Sequence, residues 1–344
     1  MEKERVRIID IAEELGLSTA TVSNVIHGKT GKISDETVRR VQKLLEERQY
    51  IPSMAGILLA QNNSRIIGVV INDHEKYESK VLEDSFIASA LNALSHEIEK
   101  AGYFMMTKIT REYSEITRFA SMWNMEGLVV IGFCEQDYKK LRDSMHIPFV
   151  VYDGYLKEPG RLCNLVIDNY DGGYQVGLYF RKLGHRKVLC IADNDKCMDG
   201  ERYRGFRDAM ENYGADFMEI PMGKAEQREY YQKKLEQIRQ YTAVFAVSDY
   251  YAITFMQFLQ ENGIKVPEEI SVCGFDDTPL CEMVCPSLTT VKQDNSERAK
   301  KAISLLKQMK EGTVSGMTYR LPVELVIRKS TISCTKDGGD LYLD

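Results

Sequence analysis

Seven polar residues stand where short apolar runs of this chain stop: Asn72, Asp73, Asp153, Ser248, Asp249, Asp276 and Asp277. A carboxylate accepts several hydrogen bonds at once, so a set of them around a cleft suits a ligand rich in hydroxyl groups. At a strand-to-helix turn the same residues can instead cap the next helix, since Asp is a preferred N-cap. Capping is the favoured reading for Asp73 and Asp277. A second set, Thr19, Ala20, Thr21, Ser23 and Asn24, is short and polar or small, which suits close approach to base edges and phosphates. A third group, His185 with Cys190 and Cys197, raises a nucleophile or a metal, but no base and orienting partner is recognisable beside it. Gly184-His185-Arg186 also fits a helix C-terminus, with a left-handed glycine and cations near the negative end of the dipole. The eight cysteines form no C-x-x-C pair, and Cys281 and Cys285 have no histidine cluster with them. Neither catalysis nor a metal nor a cofactor is expected.

The second set needs helices to present it. Ile8, Ile11, Ala12 and Leu15 recur at helical spacing, and Gly16 follows as a left-handed cap. Ser18 can N-cap a second helix whose buried stripe is Val22, Val25 and Ile26. A third helix begins near Ser34, with Asp35 and Glu36 where the dipole favours acids, and Val38, Val41, Leu44 and Leu45 close a small core. Two short helices joined by a tight turn can place one helix in the major groove of DNA. Periodicity alone fits an ordinary helical hairpin equally well. Charge does not decide, because residues 1–60 hold nine Lys+Arg and nine Asp+Glu and lack the usual basic footprint. A basic face would need Lys29, Lys32, Arg39 and Arg40 on one side.

The first set needs a sheet. Apolar runs at 65–71, 127–132, 148–152, 187–191, 243–247 and 270–275 read as buried parallel strands. Amphipathic segments alternate with them, one from about Ser85 to Lys100 ending at Gly102. Alternating strands and helices imply doubly wound parallel sheets, which bind ligands beyond the C-terminal strand ends. That rule is what singles out the strand-end residues.

The segment from Ile8 to Leu59 resembles the headpiece of the lactose/galactose repressor (LacI/GalR) family, through D-I-A, G-L-S, T-V-S-N-V-I, I-S-D-E-T-V-R-R-V and Y-I-P in that order. The resemblance implies that Thr19, Ala20 and Asn24 read bases and that Thr21 and Ser23 hold phosphates, with His27 on the same surface. It also implies a hinge helix after Pro52 that orders on DNA, whose Leu59 wedges into the minor groove. Ile57 departs from the arginine frequent there, which puts a phosphate contact at that position in doubt. The body carries further marks: Asp168-Asn169 with Gly172-Gly173, Gly184-His185-Arg186-Lys187, Arg202-Tyr203-Arg204-Gly205-Phe206, Gly274-Phe275-Asp276-Asp277 and the run from Leu321 to Arg328. These resemble the family's effector core, related to periplasmic sugar-binding proteins. By position, Asp276 and Arg202 are implied as the first effector contacts, with Asn72, Asp153, Ser248 and Asp249 as second choices. Where the family often has an Asn-Pro-Phe-Phe-like turn after Asn72, this chain has Asp73-His74-Glu75-Lys76-Tyr77-Glu78-Ser79, so that half of the pocket is left open.

The expected fold is α/β: a helix-turn-helix headpiece plus a periplasmic-binding-protein-like core of two doubly wound parallel-sheet subdomains. The expected boundaries are 1–51 for the headpiece, 52–64 for the hinge, 65–331 for the effector and dimerisation core, and 332–344 for the tail. Within the core, one subdomain takes about 65–166 and 291–320, the other about 167–290 and 321–331. With 344 residues, 44% of them hydrophobic, the chain has material for such a core. No run reaches the length of a membrane span, no signal-peptide pattern opens the chain, and the scattered thiols suit a reducing cytoplasm. The net charge of −6 lies outside the headpiece. The expected function is a transcriptional regulator, a repressor, binding double-stranded operator DNA as a homodimer under a saccharide effector. A nucleobase, a nucleoside or a phosphoprotein corepressor is the alternative, and a plain solute-binding protein a further one. The tail from Thr331 lacks a leucine heptad, which argues against a tetramerising coiled coil.

Overall fold

The computed structural model describes residues 6–51, 64–133, 141–154 and 162–334. The chain divides into two compact units, Met1–Ser64 and Arg65–Asp344. The first holds helices α1 (Ile8–Leu15), α2 (Thr19–Ile26) and α3 (Asp35–Glu47). Gly16 ends α1 at φ +64°, a conformation that penalises a Cβ, and Ser18 accepts the Thr21 N–H at 3.1 Å to start α2. Ser34 does the same for α3 through Thr37. Ile11, Ala12, Val22, Val25, Val41 and Leu44 are buried together, so each helix spends one stripe on a shared core and leaves the rest to solvent.

The second unit is built on two six-stranded sheets. The first sheet has β1 (Ile66–Asn72), β2 (Phe104–Thr110), β3 (Gly127–Ile131), β4 (Phe149–Tyr152), β5 (Cys163–Ile167) and β11 (Met317–Leu321), in the order β11-β5-β4-β3-β1-β2. The second has β6 (Val188–Ala192), β7 (Asp216–Glu219), β8 (Ala243–Ala246), β9 (Ser271–Asp276), β10 (Thr289–Lys292) and β12 (Glu324–Val326), in the order β12-β10-β9-β8-β6-β7. All pairings are parallel except β10 with β12. The chain therefore leaves the first sheet after Ile167, returns after Lys292 and leaves again after Leu321. Central strands are buried end to end, as the continuous apolar runs require, whereas the edge strands β2 and β7 are half exposed.

The helices that follow these strands include α4 (Ser85–Lys100), α5 (Tyr113–Met122), α6 (Asn169–Lys182), α7 (Cys197–Met210), α8 (Lys224–Lys233), α9 (Asp249–Glu261) and α10 (Asn295–Lys310). Helices α6 and α7 touch backbone to backbone. A Cβ on Gly173 would stand 1.9 Å from the Arg202 carbonyl oxygen, and one on Gly205 1.9 Å from that of Tyr170. This close crossing sets Arg202 beside Asn169. No helix among the described residues is long and apolar enough to cross a membrane.

Candidate functional site

On α2, Thr19, Ala20 and Asn24 are exposed, while Thr21 and Ser23, and His27 just past its end, are half-buried. The Thr21 hydroxyl lies 2.9 Å from that of Ser18, so it serves the N-cap as well as facing outward. Lys29, Lys32, Arg39 and Arg40 are all exposed. The helix thus offers a short-side-chain surface with amide and hydroxyl groups, the chemistry that reads base edges and phosphates. Leu59 and the hinge around it lie outside the described residues.

In the second unit a cavity of about 380 Å³ opens beyond the C-terminal ends of both sheets. Lys76 and Tyr77, which follow β1, and Asp84 to Phe86, which start α4, wall one side. Ser248, Tyr250, Asp276 and Thr278 wall the other. Asp276 ends β9 at φ +130°, a strained backbone held by what surrounds its side chain. Its Oδ1 accepts from Gln293 Nε2 at 2.5 Å and lies 3.9 Å from Arg202 Nη1. Burial pushes the Asp276 carboxyl well above the usual carboxylate range, against the pull of Arg202. Arg202 in turn stacks 3.6 Å over the Phe275 ring and donates to Asn169 Oδ1 at 2.8 Å and to the Val247 carbonyl at 2.5 Å.

Of the six effector positions expected from the sequence, Ser248 and Asp276 line this cavity. The other four are not among its lining residues. Arg202 lies beneath Asp276. Asn72 donates its amide to the Gly132 carbonyl at 2.8 Å. Asp153, at φ +53°, pairs with Arg298 at 2.7 Å and accepts the Ile167 N–H at 3.2 Å. Asp249 opens α9 and turns inward, accepting from Thr278 N–H at 2.8 Å, the Cys281 thiol at 2.9 Å and the Thr290 hydroxyl at 2.5 Å. A carboxylate with three buried donors is a cross-link, and its place next to Ser248 misled the sequence reading. Asp73 and Asp277, read as helix caps, instead pair with Arg111 at 3.4 Å and Arg328 at 2.7 Å. His185 follows Gly184 (φ +83°) past the end of α6 and is buried between the Thr242 hydroxyl and the Ile332 carbonyl, each at 3.0 Å. That arrangement is structural, and the seven cysteines among the described residues are free thiols.

Sequence reasoning missed the near wall. Lys76 places its ammonium 5.1 Å from the Tyr77 ring and 5.9 Å from that of Tyr251. Burial works against that charge, but Tyr77, Tyr251, Asp193 and Asp199 outweigh it and hold the Lys76 pKa well above the usual lysine range. Burial raises the Tyr77 phenol to about 12 and the Asp199 carboxyl to about 7; for Asp199, Arg202 opposes the rise and Asp193 adds to it. Asn194 bridges the two acids at 3.1 and 3.2 Å. The only signal in the sequence was the polar insert after Asn72, which has no apolar periodicity to locate it.

Two family models match the chain. Residues 7–53 match that of the bacterial regulatory proteins of the lacI family, and residues 178–331 that of a periplasmic binding protein-like domain. Full-length relatives include the HTH-type transcriptional repressor PurR of Vibrio parahaemolyticus, 27% identical across 94% of this chain and 98% of that one. The HTH-type transcriptional regulator DegA of Bacillus subtilis is 29% identical across 94% of this chain and 97% of its own length. The chain carries the DNA-binding domain of the lacI family of bacterial regulatory proteins, followed by a periplasmic binding protein-like domain. It is a DNA-binding transcriptional regulator rather than an enzyme. The lacI-family fold is seen again in the lac repressor dimer bound to operator and the anti-inducer ONPF, with a TM-score of 0.83 at 23% identity over 96% of this chain and all of that one. A CelR–cellobiose complex superposes with a TM-score of 0.67 at 21% identity over 95% of this chain and all of that one.

Proposed function

We propose that this regulator is a repressor that binds a pseudo-palindromic operator as a homodimer and is controlled by a small polyhydroxylated effector in the cleft between its two sheets. Two-fold symmetry in the protein calls for two half-sites in the DNA. On α2, Thr19, Ala20 and Asn24 face the bases and Thr21, Ser23 and His27 the backbone; Asn24 suits the N6/N7 edge of adenine. Leu59 is assigned to the minor groove. The domain limits are taken as 1–51, 52–64, 65–331 and 332–344.

The observation that carries the effector assignment is Asp276. It is a strained carboxylate on the cavity wall, fixed from behind by Arg202 and Gln293, with Ser248 and Asp84 as further polar groups around the same space. Such acceptors suit sugar hydroxyls. The aromatic walls, Tyr77, Phe86 and Tyr250, favour a second reading, a nucleobase stacked between rings. A thermal-shift screen against sugars, sugar phosphates, nucleobases and nucleosides separates the two, because a ligand of the native state raises the melting temperature. A saccharide hit that is lost in Asp276→Ala supports the first reading. A response to nucleobases or nucleosides alone replaces it with the second. For the DNA arm, Asn24→Ala is expected to weaken binding to the specific site by roughly 1–3 kcal/mol while leaving non-specific, salt-dependent binding unchanged.

A further inference from the structure

The segment 73–84 leaves the first sheet at the end of β1 and rejoins that half of the core at α4, and both of its ends are rooted there. Asp73 pairs with Arg111, which follows β2, at 3.4 Å. Asp84 caps α4 by accepting the Ile87 N–H at 3.0 Å. Between them runs one turn of helix, Glu75–Tyr77, ended by Glu78 at φ +49° and Ser79 at φ +63°. Two consecutive left-handed residues with side chains are strained, and such a backbone persists only where its surroundings hold it.

Those surroundings belong to the other half of the core. Lys76 carries its ammonium to 5.9 Å from the Tyr251 ring on α9. Asp193, past the end of β6, and Asp199, on α7, act on the same charge. Glu78 accepts the Lys224 N–H at 3.4 Å. Helix α8 has a use for that acceptor, because its N-cap is Gly223, which makes no side-chain cap. A carboxylate there also meets the positive end of the helix dipole. A lysine and a glutamate two positions apart, rooted in one half, thus each meet the opposite charge in the other half. Both line the first cavity.

We propose that residues 74–80 form a strap that fastens the two halves of the core to each other with no ligand bound, and that this contact sets the operator affinity of the ligand-free protein. It holds whatever the cleft binds. Two halves joined by chain crossings can close by a hinge, and every contact made only in the closed arrangement shifts the population towards it. Lys76 and Glu78 make such contacts, since their partners stand across the cleft. A ligand entering the cavity meets these two side chains, and so acts on a core already fastened rather than on an open one.

Hydrogen exchange, small-angle scattering and operator titration of the ligand-free full-length protein test this, on the original chain and on Glu78→Lys and Lys76→Met, singly and together. Glu78 is exposed, so Glu78→Lys is expected to leave the fold intact, and unchanged exchange in β8 and β9 shows that it does. In the double variant, exchange in the first turn of α8 and in residues 193–199 is expected to rise about tenfold, the radius of gyration to increase, and operator affinity to change about fivefold. If the double variant loses protection in β8 and β9, Glu78→Lys alone decides by the same readings. Faster exchange confined to α8, with the radius unchanged, makes Glu78 a local cap and overturns the strap. An opened core whose operator affinity stays within about twofold of the original overturns its regulatory role.

Discussion

Gln293 Nε2 donates to Asp276 Oδ1 across 2.5 Å, and the same amide accepts from Arg298 Nη1 at 3.3 Å through its Oε1. Arg298 is fully buried, pairs with Asp153 at 2.7 Å, donates to the Leu165 carbonyl at 2.9 Å and lies 4.1 Å over the Tyr152 ring. A continuous chain of polar contacts thus runs from the cavity wall in the second sheet to the ends of β4 and β5 in the first. It passes through the second chain crossing, where Gln293 sits. A ligand that changes the position or charge of Asp276 changes the one amide that both sides hold.

Gln293→Leu keeps the side chain's bulk and removes both bonds. Effector affinity is expected to fall by less than tenfold, because Asp276 keeps Arg202. The change in operator affinity that the effector produces is expected to shrink by at least fivefold. Allosteric couplings amount to about 1–3 kcal/mol, so losing the shared link removes most of one. Operator binding with and without saturating effector, measured beside effector binding alone, checks this. A variant that loses effector affinity and response in equal proportion places Gln293 in the binding site and not between the subdomains.

Gly205 tests how Arg202 is held. An alanine there drives its methyl group to within 1.9 Å of the Tyr170 carbonyl, and backbone atoms on both helices leave no flexible neighbour to give way. Gly205→Ala is expected to cost about 3 kcal/mol, the upper part of the range for overpacked sites, read from the urea midpoint of the core. Effector affinity falls with it, since separating α6 from α7 pulls Arg202 off Asn169 and loosens Asp276.

The part of the fold with strong periodicity was legible in the sequence. The boundaries of α1, α2 and α4 follow their caps and stripes, and the six central apolar runs became buried strands. The edge strands β2 and β7 escaped notice because an edge strand buries only part of itself, so 104–110 and 216–219 show no continuous apolar run. The site was harder for a different reason. Being at a strand's C-terminal end puts a residue near the cleft but does not say which way its side chain turns. Ser248 and Asp249 are neighbours at one such end, yet one faces the cavity and the other faces Thr278, Cys281 and Thr290.

Asp249 accordingly belongs to stability. Asp249→Ala leaves three buried donors without an acceptor, at about 1–3 kcal/mol for each unsatisfied group before relaxation. A loss of at least 3 kcal/mol in chemical unfolding is expected, with effector affinity in the surviving folded protein within about threefold of the original. A stable variant that has lost the effector returns Asp249 to the ligand site.

Asp199, beside Asp193, makes the core sensitive to pH in a direction that can be worked out. Burial lifts the Asp199 carboxyl to about 7, whereas an unfolded aspartate titrates near about 3.9. Between those values the native state carries a proton that the unfolded state has released, so this group's contribution to stability falls as pH rises through that window and is flat above it. His74, with Lys76, Asp193, Glu75 and Arg111 around it, has its pKa lowered chiefly by burial, so its contribution has the opposite sign and strengthens as pH rises towards about 6.5. Asp199→Asn removes the first effect and leaves the second. The melting temperature of the variant relative to the original protein is therefore expected to climb from pH 5 to about pH 7 and to level off above it, measured from pH 5 to pH 8 in buffers of equal ionic strength. A difference that stays constant across that range means that Asp199 titrates as an ordinary carboxylate in the folded protein, and that Lys76 alone balances the pair.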